Sequence, residues 1–574
     1  MTRLLFRSGL QLALFTGLIF FLIYFVDSRY RVLPSTIHNH LPAHHPGLVV
    51  TDITVNICRV GKCKLDESKW HRIDKDLYLK SGWLSKAYVH IQRKKEEDLS
   101  HDDKVVVDVR VGRLDPSTGE KGDAAEKWET RPGGIWLKRS SGRHVSDTDK
   151  AVTSVDVLFG ADAVDPRPNW QVRDQGLRLD YSKESLEARL TIRRGQPAKI
   201  ERPTVRVGKD GKFKIMQASD LHMSTGLGVC RDPEPAGYNN GKCEADPRTL
   251  EFVARLLDEE KPDLVILSGD QVNGETAPDS QSAIFKLLEL FTSRKIPYAA
   301  IMGNHDDEGS LSRAEMVDLI SEMPYSLTTS GPPTLPGSGN YYLQVMSHNG
   351  HHSALTIWLF DTHSYSPDEK KYHGYDWIKD EQIRWFKDVA GGLKSSNAKY
   401  SHIHLDMAFI HIPIPEYRDA GMMVGDRKEG VTAPLYNSNF YDALIDMKIP
   451  VVSCGHDHAN DYCLFPDKQK AILEGVTATS PAAEGTSPNK KDFDKIWMCY
   501  AGGAGFGGYG GYGGYHRRIR FFELDANEAR ITTYKRLEYG ETKKRLDEHA
   551  IVDQGRVVVP DMKSLEPKEG TSAS

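Results

Sequence analysis

Residues 10–26 form an uncharged and largely apolar run, LQLALFTGLIFFLIYFV. At about 1.5 Å per helical residue, a helix over this run nearly crosses a hydrocarbon core of roughly 30 Å. The flank that follows is Asp27-Ser28-Arg29-Tyr30-Arg31, without a small-residue cleavage site, so a retained single-pass anchor is expected over a removed signal peptide. Residues 32–47 are rich in Pro and His and lack periodicity, as a linker would be, and His38, His40, His44 and His45 read as part of that solvated linker. Between residues 48 and 203, stretches rich in β-branched residues recur at 49–55, 105–111, 154–158 and 188–192, separated by Gly, Pro and Asp. This spacing predicts a small β-rich accessory domain, to which we assign packing or partner recognition.

After Pro203 the pattern changes. Apolar runs at 213–218, 264–267, 298–302, 355–360, 408–410 and 451–453 read as buried strands, and helical spacing at 250–257, 283–291 and 382–389 places helices between them. Alternation of strand and helix predicts an α/β domain over residues 211–535. Strands at 518–524 and 531–534 read as its closing edge, and residues 536–574 as a charged tail with a disordered end.

Each buried strand of this region stops at a polar cluster. The clusters are Asp220-Leu221-His222, Gly269-Asp270-Gln271, Gly303-Asn304-His305-Asp306, His411, and Gly455-His456-Asp457-His458. Along an extended chain, alternation would turn Asp220 and His222 to the same side. Gly269 permits a sharp turn that presents Asp270 at its strand end. A histidine in a core is ordinarily a satisfied core residue, but five successive strand-end clusters are not explained that way. An open α/β sheet gathers its ligand site at the carboxyl ends of its strands, which brings these distant segments into one crevice.

Composition narrows the partners. The 574 residues carry 75 Lys plus Arg against 80 Asp plus Glu, a net charge of -5, which does not provide the basic footprint of a nucleic-acid binder. Seven Cys in so long a chain exclude a dense disulfide framework and leave at least one thiol unpaired within it. Cys230 with Cys243, Cys454 with Cys463, and Cys58 with Cys63 are possible bridges, their pairing left open.

The five ordered clusters resemble the motifs of the calcineurin-like metallophosphoesterases over residues 211–535. The resemblance implies a two-sheet sandwich flanked by helices, with one metal held by Asp220, His222 and His458, a second by Asn304, His411 and His456, and Asp270 bridging them. This ligand mixture suits iron, manganese or zinc better than calcium. His305 is implied as the non-ligand histidine beside the leaving group. The activity implied is a phosphatase that hydrolyses phosphate monoesters through a metal-bridging hydroxide, with a diesterase or nucleotide-cleaving enzyme as the alternative and a non-catalytic membrane-bound scaffold as the other. Purple acid phosphatases carry Tyr three positions after the bridging Asp, where this chain has Asn273. Serine/threonine phosphatases place Asp and Arg where Asn273 and Gly274 stand, so their histidine-orienting acid and phosphate clamp are both missing. The remaining blocks, among them residues 230–233, 374–379 and 428–434, resemble a fungal membrane-anchored branch with plant purple-acid-phosphatase-like relatives, which implies phosphorylated proteins or small phosphoesters as substrates.

Asp306 and Asp461 are read as solvated loop carboxylates ahead of the alternative that they accept hydrogen bonds from, and so orient, the ligand histidines, and the Gly- and Tyr-rich segment 501–515 is read as a flexible loop, since a phosphate-cradling loop should open a helix. Arg3 and Arg7 precede the apolar run and Asp27, Arg29 and Arg31 follow it, which favours an extracytosolic catalytic bulk by a small margin. No Asn is followed at the second position by Ser or Thr, so glycosylation acceptors common in lumenal proteins are missing.

Overall fold

The computed structural model describes residues 11–23, 25, 47–59, 63–79, 85–100, 102–115, 127–140, 150–179, 186–400, 403–467, 495–510 and 514–559. The chain divides into two units, Met1–Lys199 and Ile200–Ser574. The His-rich linker and the final residues of the tail lie outside the described residues. Residues 11–23 are helical, and among the described residues no helix is long and apolar enough to cross a membrane.

In the first unit the β-branched stretches build three antiparallel three-stranded sheets, centred on Ser85–Lys95, Ile135–Ser140 and Ala188–Arg194. Each sheet turns its apolar residues into one core, where Ile53, Val89, Val109, Leu137, Val157 and Leu190 are fully buried. The charged residues between them pair at the margin, as where Arg131 grips both oxygens of Asp52 at 2.8 and 2.9 Å.

In the second unit the apolar runs become two seven-stranded sheets. The first is ordered Tyr298–Ile301, Leu264–Ser268, Lys212–Ala218, Arg518–Asp525, Arg530–Leu537, Leu546–Asp553 and Arg556–Val557. Its first three strands are parallel, joined through helices Ala245–Glu260 and Ser280–Arg294. Every residue of Leu264–Ser268 is buried, as expected where a parallel strand is covered on both faces. The second sheet is ordered Tyr341–Met346, Ser353–Leu359, Leu405–Phe409, Val451–Cys454, Trp497–Tyr500, Cys463–Pro466 and Gly421–Val424. Phe213, Ile215 and Ile266 from the first sheet share a buried cluster with Leu355, Ile357, Met407 and Trp497 from the second, so the unit is a sandwich with its core between the sheets. Phe360, Phe386, Phe440 and Tyr441 close a second core on the outer face, under helices Asp380–Asn397 and Phe440–Asp446.

Strands Arg518–Asp525 and Arg530–Leu537 do not close the first sheet. Two further strands follow them, and Ile551 and Val552, at 0% and 1% exposure, anchor the outer pair in the shared core. The charges of Lys543, Lys544, Arg545 and Glu548 mask that short apolar pair in the sequence.

The bridges are Cys58–Cys63, Cys230–Cys243 and Cys463–Cys499, with Cys454 a buried free thiol. Cys463 thus pairs with Cys499 and not with Cys454, because strands Cys463–Pro466 and Trp497–Tyr500 lie antiparallel with those two residues in register. Thiol titration of the denatured, unreduced protein is expected to yield one thiol per chain, and seven after reduction. Three or more before reduction would contradict this pairing.

Candidate metal centre

The strands Lys212–Ala218, Leu264–Ser268, Tyr298–Ile301, Leu405–Phe409 and Val451–Cys454 end two or three residues before Asp220, Asp270, Asn304, His411 and His456. What turns these side chains inward is unusual backbone. Asp220, His222, Asp270 and His456 have φ of 55°, 48°, 50° and 79°, in the left-handed region that non-glycine residues seldom occupy. Asp220 and His222 are therefore paired by a turn and not by strand alternation. Each such residue costs on the order of 1–3 kcal/mol, a cost that surrounding structure must offset and that concentrates at functional sites. Gly269, at φ 100°, has no room for a side chain, since a Cβ there would meet His411 Nδ1 at 2.1 Å.

The result is two buried groups, Asp220 with His222 and His458, and Asp270 with His411 and His456, each with its ligating atoms within 4.8 Å of one another. They abut: His222 Nε2 lies 3.1 Å from His458 Nε2 and 3.8 Å from Asp270 Oδ2, and His411 Nε2 lies 3.2 Å from the same oxygen. Asn304 stands between Gly303, which leaves no space for a Cβ beside Asp270 Oδ1, and His305, whose backbone N–H donates to that oxygen at 2.8 Å. All the residues expected as ligands thus come to one crevice, with His305 on its rim.

Whether these residues suit metal ions is decided by their unsatisfied atoms. His222 Nδ1, His411 Nε2, His456 Nε2 and both side-chain polar atoms of Asn304 are buried with no hydrogen-bond partner. Buried polar atoms are ordinarily bonded, and the orphaned acceptors His411 Nε2, His456 Nε2 and Asn304 Oδ1 fit cations bound among them. His411 Nε2 is close to Asp270 yet misaligned for a hydrogen bond, as expected where a shared cation belongs between ligands. Outer contacts fix the rings: His411 Nδ1 bonds Ser268 O at 2.9 Å, and His458 Nδ1 bonds Tyr509 O at 2.8 Å. Such bonds set the tautomer that leaves Nε2 for a metal. Burial, with His458 adding to it, pushes His222 down to about 3, and burial pushes His456 down to about 4, so both rings stay neutral at pH 7. At His411 burial is outweighed by Asp270, and the ring rises to about 9. A metal takes the place of that proton, so acidification favours metal release.

Two expectations about the surroundings are corrected. Asp306 and Asp461 are not solvated: both are fully buried. Asp306 accepts N–H bonds from Asp270, Val272 and Gly303, tying two ligand loops together, while burial and the Asp270 charge lift its carboxyl to about 7. Burial opposes the charge of Asp461, but Lys535 and Arg518 hold it down to about 2, and its place is a buried ion cluster behind the loops.

The Gly- and Tyr-rich segment is not a free loop either. Residues 501–508 are buried, with Gly503 N bonded to His458 O at 2.9 Å, Ala504 N to Ser219 O at 3.1 Å and Gly505 N to Asp220 O at 3.0 Å. The guanidinium of Arg517 pins it by donating to Gly505 O at 2.7 Å and Gly508 O at 2.9 Å. Tyr509 lies flat on His458 with ring centres 3.9 Å apart. The glycines allow main chain to press directly on the ligands, a purpose that local sequence signals do not mark. Sequence reasoning also passed over Tyr375, edge-on to His456 at 4.3 Å, and Glu308, bonded to His305.

Residues 213–460 match the family model described as Calcineurin-like phosphoesterase. The chain is 38% identical over 419 residues to Phosphatase DCR2 of Saccharomyces cerevisiae, covering 70% of this chain and 67% of that protein. It belongs to the calcineurin-like phosphoesterases. Another relative is the Probable inactive purple acid phosphatase 14 of Arabidopsis thaliana, 32% identical, with 65% of this chain and 90% of that protein covered. A dimetal phosphatase from Danio rerio superposes over 59% of this chain and 99% of that one, at 10% identity and a TM-score of 0.39. The family works with a dinuclear metal centre, and the reaction class is that of a phosphoric ester hydrolase.

The glycine wall leads to a prediction. A Cβ on Gly508 would lie 2.5 Å from His458 Cε1 and 2.6 Å from His222 Cδ2, so Gly508→Ala displaces both rings. Metal affinity, followed by competition with a chelator, is expected to fall about 10- to 100-fold, as when an outer contact of a ligand is lost.

Proposed function

We propose that this chain hydrolyses phosphate monoesters, phosphoproteins among them, at a centre of two metal ions drawn from iron, manganese and zinc. The observation that carries the reading is the pair of buried ligand groups meeting at Asp270, with His305 bonded through its backbone to that same carboxylate. Asp220, His222 and His458 would hold one ion and Asn304, His411 and His456 the other, with Asp270 shared between the two groups. When bound, the ions supply positive charge for the phosphoryl oxygens and an activated water as nucleophile. The chain does the rest: the strand-end turns keep the ligands fixed, and the buried glycine wall excludes water from behind. His305 delivers a proton to the departing oxygen, a role supported by the nearness of its ring to that of His222, 5.4 Å between centres. Burial opposes its charge, but Asp270 and Glu308 raise its pKa above the ordinary value, as an acid catalyst at neutral pH requires.

Residues 10–26 complete the reading as a membrane anchor, with the enzyme on the extracytosolic side. Support comes from the helix over residues 11–23 and from three cystines, which suit an oxidising compartment. The full chain is then expected to stay with membranes through an alkaline carbonate wash, and residues 32–574 to remain in the supernatant; release of the full chain would refute the anchor.

For the chemistry, metal analysis is combined with hydrolysis of aryl phosphate mono- and diesters by residues 32–574. Two ions per chain and a monoester preference are expected, whereas a diester preference would turn the assignment towards a phosphodiesterase. Asp270→Asn is expected to lose metals and activity together. His305→Ala should keep its metals and lose about 10²- to 10⁴-fold in turnover, the usual worth of a positioned acid. Full activity in either variant would overturn its assigned role.

A further inference from the structure

Three carboxylates follow His305 in the chain, and each has a separate task. Asp306 binds three backbone N–H groups, and Asp307 accepts from Arg313 at 3.3 Å. Glu308 alone of the three faces the imidazole, its Oε2 2.7 Å from His305 Nδ1. Its other oxygen accepts from the hydroxyl of Tyr365 at 3.0 Å, so neither half of the carboxylate is free to rotate. Tyr365 is braced in turn by Tyr375, through a backbone bridge and ring centres 5.8 Å apart.

An independent observation concerns the neighbouring loop. At Gly274 any Cβ would meet Glu308 Cβ at 2.4 Å and its carbonyl carbon at 2.7 Å. Gly274 N also approaches His305 O at 3.3 Å, so the missing side chain is what lets the segment carrying Glu308 close against it. The glycine at 274 and the presence of Glu308 are thus two sides of one arrangement. An exposed ion pair between residues three apart ordinarily contributes little. Here both carboxylate oxygens are engaged and the adjacent loop is shaped around them.

We propose that Glu308, held by Tyr365, is the positioning residue for His305, fixing the ring so that Nδ1 donates to the carboxylate and Nε2 carries the proton for the leaving group. The proposal rests on the monoesterase reading above. In the step it serves, the water-derived oxygen forms its bond to phosphorus as the bond to the ester oxygen breaks with its electron pair. The Nε2 proton passes to that oxygen, the product leaves as an alcohol or phenol, and His305 regains its proton from solvent. Glu308 exchanges no proton and touches no substrate. It stabilises the imidazole in one orientation, as carboxylates commonly do for catalytic histidines.

Proton delivery matters most for poor leaving groups, and this separates positioning from mere structural support. Phenyl phosphate and 4-nitrophenyl phosphate are compared in the metal-loaded protein, its Glu308→Ala and Glu308→Gln variants, His305→Ala and the double variant. Expected is a loss in kcat at least about tenfold greater for phenyl phosphate than for 4-nitrophenyl phosphate, with KM within about twofold and metal content unchanged. Glu308→Ala placed on His305→Ala is expected to add no further loss, because the two residues act as one unit. Equal losses on both esters, losses that multiply with those of His305→Ala, or no loss in either Glu308 variant would overturn the proposal. If Glu308→Ala sheds metal, the isosteric Glu308→Gln gives the same comparison, and metal loss there too overturns it. Wild-type protein that cleaves neither ester overturns the monoesterase reading and this proposal with it.

Discussion

The structure is organised around a concentration of buried polar groups that apolar packing cannot stabilise. Asp220 and Asp270 are essentially inaccessible, at 0% and 1%, and His411 and His458 lie against them at 0% and 3%. Removing a carboxylate from water without compensation costs several kcal/mol, far more than an ordinary hydrogen bond returns. Only a comparable density of positive charge satisfies such a site, and the sandwich is arranged to hold it. Parallel strands deliver the segments to one edge, and the left-handed turns at Asp220, His222, Asp270 and His456 rotate the ligands off the sheet and into the crevice.

That constraint explains which features were legible in the sequence. The strands Leu264–Ser268 and Val451–Cys454 are continuous apolar runs because both faces are covered, and such runs need no periodicity to be found. The ligands were visible because each run stops abruptly at residues that are poor strand formers and good ligands. What escaped were relations across the chain. Cys463 meets Cys499 through a register between strands whose intervening residues carry no pairing signal. Asp306 looks like a loop carboxylate until the N–H groups of Asp270 and Val272 are seen to converge on it. The glycines of 501–508 resembled a flexible segment because composition reports freedom of the unfolded backbone, whereas their role is to permit contact.

The two sides of the crevice are built from different material. Behind His222 and His458 the wall is main chain, carried by Gly505, Gly507 and Gly508 and clamped by Arg517. In front, Tyr365, Tyr375 and the loop bearing His305 and Glu308 present side chains, and Tyr365 remains half exposed. The ligands therefore have a rigid backing and an open approach, which is the arrangement a catalyst needs when its reaction centre must stay fixed while its substrate enters and leaves.

The glycine wall has a bearing on how such an enzyme can change over evolutionary time. A surface made of backbone offers no side chains to exchange, and every substitution there adds atoms where Gly505 and Gly508 already leave less than a contact distance. The rear of the pocket is thereby closed to gradual remodelling. New selectivity has to be acquired at the mouth, on residues around the aromatic hairpin other than Tyr365 and Tyr375 themselves, since those two rings brace Glu308 and His456. One fold can in this way diversify at its mouth while its centre stays unaltered.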